Sequence, residues 1–348
     1  MATAELEAFL EGEHREVHVR RGPRSGLTIA VAIHRLVDRR SLGGCRVRPY
    51  LTTDHAVRDV ERLARSMTFK AAAAGLRIGG GKGVIALPPD GPVDPERRRE
   101  ALHDFAELVE SLGGRYVTAQ DAGTSVDDIV FMGKLTKHVT GRPGGAGDPS
   151  PYTAHGVEVA IRASLRGAPV AGRHVVVIGV GHVGGELARR LARTGARLTL
   201  SDVDQARRAL AEELGAGWTD PDAALDVEAD VLAPCALGGI LDPGTVARLR
   251  VPVVAGAANN QLAGDGVADA LRDRGILWAP DFIVNAGGLI AVTDELFGFD
   301  RDRVERRVLG IGDTLRDVYE RADAAGTNTL EAAYEIAGER LAALPRRR

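Results

Sequence analysis

The chain has 348 residues, more than one ordinary hydrophobic core organises and enough for two domains. Its 44% hydrophobic and 27% charged residues describe a folded globular chain, and a formal net charge of -3 argues against nucleic acid or an anionic membrane surface as partner. No apolar run reaches the roughly 18 residues that span a bilayer.

The first twenty residues are acidic and amphipathic and lack the apolar core of a secretory signal. The two cysteines, Cys45 and Cys235, cannot build a disulfide framework or a four-ligand metal site, so a reduced, cytoplasmic protein is expected. Residues 27 to 36, LTIAVAIHRL, read as a strand. Ala56, Val57, Val60, Leu63, Ala64 and Met67 stand at helical spacing and predict an amphipathic helix over residues 55 to 69. GGKGVIALPPD reads as a glycine turn feeding a short strand that stops at Pro88 and Pro89. PERRREALHDFAELVESLGG predicts a helix with an early proline and a terminal glycine, and RYVTAQD a strand. This alternation predicts an α/β first domain.

GRPGGAGDPSP, residues 141 to 151, is the densest glycine and proline stretch and marks the domain boundary. The helical YTAHGVEVAIRASLRGA then leads into HVVVIGVGHVGGELARRLARTGARLTLSD, which reads strand, glycine turn, helix, strand. DVLAPCAL, VPVVAGAA and ILWAPD follow as short strands between helical stretches, so the second domain is expected to be a doubly wound parallel sheet. The expected division is 1–145 for the first domain and 146–319 for a Rossmann domain, with C-terminal helices of about 320–348 rejoining the first. The closing RRR reads as a solvated end.

Gly179, Gly181 and Gly184 form G-x-G-x-x-G directly after the apolar VVVI and directly before a helix. The first glycine permits a tight turn, the second lets a pyrophosphate approach the backbone, and the third brings helix and strand together. Asp202, at the end of the next strand, would accept from adenosine ribose hydroxyls and repel a 2′-phosphate, which predicts NAD over NADP.

Of 45 lysines and arginines, only Lys70, Lys82, Lys134 and Lys137 are lysine. Arginine keeps its proton in proteins, whereas a lysine can act as a base, so Lys70 and Lys82 in SMTFKAAAAGLRIGGGKGV are candidates for chemistry. The sequence reading puts Lys70 on a helix and Lys82 on a glycine-lined loop whose backbone a substrate could approach. Asp121 in TAQDAGTSV ends a strand and can serve as a proton relay. The nine histidines show no zinc spacing beyond His14 and His18 in a polar terminal stretch, and no metal is expected.

The segments SLGGCRVRPY, MTFKAAAAGLRIGGGKGV, GGRYVTAQDAGTSV, GDPSPYTAHGV, VIGVGHVGGELA, APCALGG, VAGAANNQL and APDFIVNAGGLIAVTDE run in order over nearly the whole chain. Together they resemble the Glu/Leu/Phe/Val amino-acid dehydrogenase family, closest in pattern to its leucine and valine enzymes. The resemblance implies an N-terminal domain for substrate and oligomerisation, an NAD-binding domain, an active site in the cleft between them, and a homodimer or octamer. It implies that Lys70 binds the substrate α-carboxylate with Asn260, that Lys82 is the general base with Asp121 as partner, and that Gly43 and Gly44 face the substrate. It assigns Thr153 and Asn285 to the nicotinamide ribose and carboxamide. Residue 71 is alanine where many relatives have asparagine, and Pro88 replaces a small polar residue.

In glutamate-specific relatives a lysine precedes the paired glycines and a serine follows the asparagine-glycine segment; here these are Leu42 and Val292. With Ala119 and Leu289 they predict an apolar site for valine, leucine or a similar small aliphatic L-amino acid, which is deaminated to its 2-oxo acid and ammonia. Alternatives are a same-fold dehydrogenase acting on phenylalanine or another amino acid, and a non-catalytic NAD-binding sensor.

Overall fold

The computed structural model describes residues 14–236 and 238–344. Most of the acidic N-terminus and the terminal arginines read in the sequence lie outside the described residues. The part that is described includes an edge strand, Glu16–Arg21 (β1).

The chain divides into two compact units. One comprises residues to Asp148, Val292–Phe299 and Arg340 onward; the other comprises Pro149–Ala291 and Asp300–Glu339. This differs from the sequence expectation at the C-terminus, where most of residues 320–348 were returned to the first domain. The reason is side-chain packing. In the helix Arg301–Ala325, Tyr319 meets Ser164 of the helix Ser150–Ser164 at 2.7 Å. In the helix Thr329–Ala343, Thr329 donates to the Trp278 carbonyl at 2.8 Å and Tyr334 stacks on Phe282.

The first unit is a five-stranded mixed sheet in the order β1-β2-β4-β3-β5. Its members are β1, β2 (Thr28–Ile33), β3 (Ser41–Pro49), β4 (Gly79–Leu87) and β5 (Tyr116–Gln120). β2 is apolar from Ile29 onward because both faces are covered. Ile29, Val31 and Ile33 pack with Phe105 of the helix Pro95–Ser111, whereas Ala30 and Ala32 pack with Ala56, Val60 and Ala64 of the helix Thr53–Ala73. Thr52 caps that second helix by accepting from His55 N–H at 3.2 Å, satisfying one of its first free donors. β3 was quoted in the sequence only as a motif, since two glycines and two arginines hide its strand character.

The second unit is a six-stranded parallel sheet in the order β11-β10-β9-β6-β7-β8. It runs β6 (His174–Ile178), β7 (Arg197–Ser201), β8 (Gly217–Trp218), β9 (Val231–Pro234), β10 (Val253–Val254) and β11 (Leu277–Trp278). Counted from β6, this is the doubly wound order 3-2-1-4-5-6, which reverses between β6 and β9 and opens a crevice at the carboxyl ends of those strands. No helix among the described residues is long and apolar enough to cross a membrane.

Candidate active site

The reactive groups of the first unit gather on the sheet face covered by the helix Thr53–Ala73. Lys82 does not sit on a loop. It lies inside β4 with its Cα opposite Ala32, and shares a face with Val84. The neighbouring glycines are required by close protein packing. A Cβ on Gly79 would lie 1.8 Å from the Arg35 carbonyl, on Gly80 2.2 Å from Thr68 N, and on Gly81 2.7 Å from the Tyr116 ring. Thr68 fixes this contact: its hydroxyl accepts from Gly80 N–H at 3.1 Å and meets His34 Nδ1 at 2.8 Å. The same helix carries Lys70, half-buried, in its last turn.

Asp121 follows β5 directly. Thr124 holds its backbone, accepting from Asp121 N–H at 2.9 Å and donating to the Asp121 carbonyl at 2.8 Å. The Asp121 carboxylate meets Lys82 Nζ at 2.8 Å, with the two side chains only 18% and 7% exposed. Gly44 makes room for it, because a Cβ there would sit 2.7 Å from Asp121 Cβ and 2.6 Å from the Gln120 carbonyl. Gly43 faces Gly81 so closely that a Cβ would overlap its carbonyl at 1.8 Å, and the Gly43 carbonyl accepts from Tyr116 OH at 2.6 Å.

Sequence reasoning missed Arg46. Its Nε lies 3.3 Å from Asp121 Oδ2, the oxygen Lys82 also uses, and its Nη1 lies 3.3 Å from Asp59 Oδ2. Asp59 in turn accepts from Tyr50 OH at 2.7 Å and pairs with Arg62 at 2.8 Å. Arg46 and Tyr50 both fall in SLGGCRVRPY, a segment already singled out, but nothing local in the sequence marks Asp59. Burial pushes the Asp121 carboxyl up, yet Lys82 and Arg46 outweigh it and hold the group below the usual carboxylate range. Asp59 is likewise held low against burial by Tyr50, Arg62 and Arg46.

Leu42, Ala119 and Val292 of this unit are apolar and buried. Val292 is tethered through its carbonyl, which accepts from Thr140 OH at 2.8 Å.

In the second unit the glycine turn links β6 to the helix His182–Arg193. Gly179 has φ +91°, and a Cβ there would meet Ala236 at 2.5 Å; a Cβ on Gly184 would overlap the Gly179 carbonyl at 1.9 Å. Gly181 is different. It has an ordinary φ of -67° and a Cβ would meet no described residue within 4 Å, so packing among the described residues does not require glycine there. Gly181 also caps the helix without a side-chain bond, so the first-turn N–H groups and the positive dipole end are left without a side-chain acceptor from the cap residue. The Asp202 carboxylate accepts from Val180 N–H at 2.8 Å and so lies against the same turn.

Asn285 is buried, and its Nδ2 donates to the Ala257 carbonyl at 3.0 Å and to Asn259 Oδ1 at 2.9 Å. Its Oδ1 is buried with no hydrogen-bond partner among the described residues, which suits an incoming amide donor. The Thr153 hydroxyl donates to Pro149 O at 3.1 Å, and a Cβ on Gly288 would lie 2.7 Å from it. Asn260 is exposed and left-handed at φ +53°, while Leu289 is buried. Gln261 locks the Asn260 turn: its N–H donates to Asp281 at 2.9 Å and its amide bonds Gly256 and Trp278. The free acceptor of Asn285, the open Gly181 and the uncapped helix together fit a dinucleotide.

Known proteins similar to this chain belong to one family. The Glu/Leu/Phe/Val dehydrogenase dimerisation domain matches residues 15–138, and the Glutamate/Leucine/Phenylalanine/Valine dehydrogenase family matches residues 198–348. A leucine dehydrogenase of Thermoactinomyces intermedius is 41% identical over 326 residues, covering 91% of this chain and 88% of that protein. A valine dehydrogenase of Streptomyces virginiae is 43% identical over 342 residues, covering 95% and 94%. The crystal structure of L-tryptophan dehydrogenase from Nostoc punctiforme superposes with a TM-score of 0.82 at 34% identity, covering 97% of this chain and 98% of that one.

Proposed function

The chain belongs to the Glu/Leu/Phe/Val dehydrogenase family, and on that premise we propose that it catalyses the NAD-dependent, reversible oxidative deamination of a small aliphatic L-amino acid. The observation that carries this reading is the buried Lys82–Asp121 pair at 2.8 Å, in a chain whose other unit presents a dinucleotide-type glycine turn.

Gly179, Gly181, Gly184 and Asp202 would hold the pyrophosphate and adenosine ribose of NAD, and Thr153 and Asn285 its nicotinamide ribose and carboxamide. Bound NAD supplies the hydride acceptor for the substrate Cα. Lys70, with Asn260, binds the α-carboxylate. Lys82, acting as the free amine, assists water in attacking the iminium carbon, and Asp121, ionised at rest, takes up a proton released by that water and passes it to the departing nitrogen. The sum is amino acid, water and NAD⁺ giving 2-oxo acid, ammonium, NADH and a proton.

The family resemblance assigns Leu42, Ala119, Val292 and Leu289 to the substrate side chain, and each is apolar and buried within its own unit. A glutamate γ-carboxylate placed among them unpaired would cost several kcal/mol, so glutamate is disfavoured. Differences of one methylene amount to only about 1–3 kcal/mol, so valine and leucine are separated by assay. The dimerisation-domain match supports a homo-oligomer, and two unpaired cysteines suit a cytoplasmic setting.

The test is the initial rate of NAD reduction at alkaline pH with a panel of aliphatic, aromatic and acidic L-amino acids, and with release of ammonia. Activity on valine or leucine, lost in Lys82→Ala and absent with glutamate, is expected. Near wild-type turnover in Lys82→Ala would remove the mechanism, and NAD binding without turnover on any amino acid would remove the reading.

A further inference from the structure

The Lys82–Asp121 pair has a third charged member that the chemistry above leaves unused. The Arg46 guanidinium lies between two carboxylates, so the side chains alternate in sign as Lys82, Asp121, Arg46, Asp59. All four are less than a fifth exposed, at 7%, 18%, 14% and 14%. They sum to zero charge, which is what a poorly hydrated cluster requires. Both cations reach the same oxygen of Asp121, so Arg46 shares with Lys82 the atom that would exchange the proton. Arg46 is itself braced. Asp59 takes its Nη1, and Tyr50 and Arg62 anchor Asp59.

We propose that Arg46 is a positioning residue for the deamination, keeping Asp121 ionised with Oδ2 turned toward Lys82, and that Asp59 sets the strength of that hold. This rests on the roles given above to Lys82 and Asp121.

The consequence has a sign. Loss of a cation beside a coupled pair makes both members hold protons more tightly, whereas loss of an anion makes them hold protons less tightly. The charged and titratable groups around the pair come from several elements. β3 brings Arg46 and the Cys45 thiol, the chain just beyond it Tyr50, the helix Thr53–Ala73 brings Asp59 and Arg62, and β5 brings Tyr116, whose phenol burial pushes well up so that it stays neutral. Asp128 and Arg98 lie past Cys45. Burial pushes both the Cys45 thiol and the Tyr50 phenol up, so both stay neutral, and Asp128 is neutralised by Arg98 at 2.6 Å. None of these three would mask the change at neutral pH.

The test compares the full-length wild type with Arg46→Gln, Arg46→Lys and Asp59→Asn. Kinetics give kcat, KM and the pH profile of kcat/KM. A second readout needs no turnover: the pH dependence of reductive methylation at each of the four lysines, mapped by mass spectrometry with Lys134 and Lys137 as references. Arg46→Gln is expected to lower kcat about 10-fold or more, with KM for the amino acid within about 3-fold. It should move the acid limb of the profile and the Lys82 labelling midpoint up by about one pH unit. Arg46→Lys should recover part of the loss, and Asp59→Asn should move both midpoints down. A folded Arg46→Gln with an unmoved Lys82 midpoint overturns the proposal, as do shifts of the same sign in Arg46→Gln and Asp59→Asn. If Arg46→Gln does not fold, Asp59→Asn decides: a downward shift supports the proposal and no shift overturns it. Should wild type turn over no amino acid, the functional reading fails, while the labelling still decides whether Arg46 and Asp59 control the pair.

Discussion

Gly44→Ala puts the geometry of the proton-transfer pair to a direct test. The added Cβ would lie 2.7 Å from Asp121 Cβ and 2.6 Å from the Gln120 carbonyl, whereas ordinary contact begins at 3.4 Å. The end of β5 must therefore retreat, by 0.7 Å if Asp121 Cβ is to reach ordinary contact, and the backbone carbonyl prevents a simple side-chain rotation. Asp121 moves with it, and its 2.8 Å contact with Lys82 is stretched or turned. A displacement near one ångström at reacting groups costs on the order of 100-fold in rate. We expect kcat to fall about 10- to 100-fold, equivalent to about 1.4–2.7 kcal/mol. Overpacking should cost a further ~1–3 kcal/mol of stability. The assay is amino-acid-dependent NAD reduction alongside thermal melting. A folded Gly44→Ala enzyme with kcat within twofold of wild type would refute the claim that this glycine positions Asp121.

Gly181→Ala should behave in the opposite way. With no described residue within 4 Å of its added methyl, the free protein keeps its melting temperature, while KM for NAD rises by about 10-fold or more because the pyrophosphate meets the methyl; a stable variant with unchanged KM for NAD would reject the site. Asp121→Asn tests the charge cluster by pH. The Asp121 carboxyl is held below its ordinary value of about 3.9, so its stabilisation is complete above that value and is lost as pH falls through the lower folded value. At pH 7 the variant leaves Lys82 and Arg46 with a neutral partner and should lose about 3 kcal/mol. Denaturant unfolding of the first unit should show that gap narrowing below pH 4, and a gap constant down to the acid limit of the folded state would contradict the assigned ionisation.

The sequence made the second unit more legible than the first, and the reason lies in how local each signal is. The dinucleotide turn is written within a few residues, with an apolar strand before it, a helix after it and Asp202 one strand on, and the structure brings Asp202 against that turn. Lys82 and Asp121 were legible as residues but Lys82 was not legible in place, because a run of glycines ordinarily weakens a strand and reads as a turn. Arg46 and Asp59 lie 13 positions apart, on a strand and a helix that meet only through tertiary packing, and each taken alone looks like a solvated charge. The C-terminal helices show the same limit. Amphipathic spacing announces a buried face without naming its partner, and the Ser164–Tyr319 bond that fixes Arg301–Ala325 spans most of the second unit's length.

Glycine sharpens this point, since the chain has 43 of them and their letter hides three different jobs. At Gly179 a φ of +91° requires it. At Gly44, Gly80 and Gly81 the backbone is ordinary and the neighbours require it, because protein atoms already fill the place of a side chain. At Gly181 neither requirement holds among the described residues, which is the pattern expected of a glycine kept for a ligand. Only in the structure do these cases separate. A glycine in a motif that the fold itself could replace by alanine therefore identifies a ligand contact more securely than one the fold needs, and Gly181 is the residue of this kind in the cofactor turn.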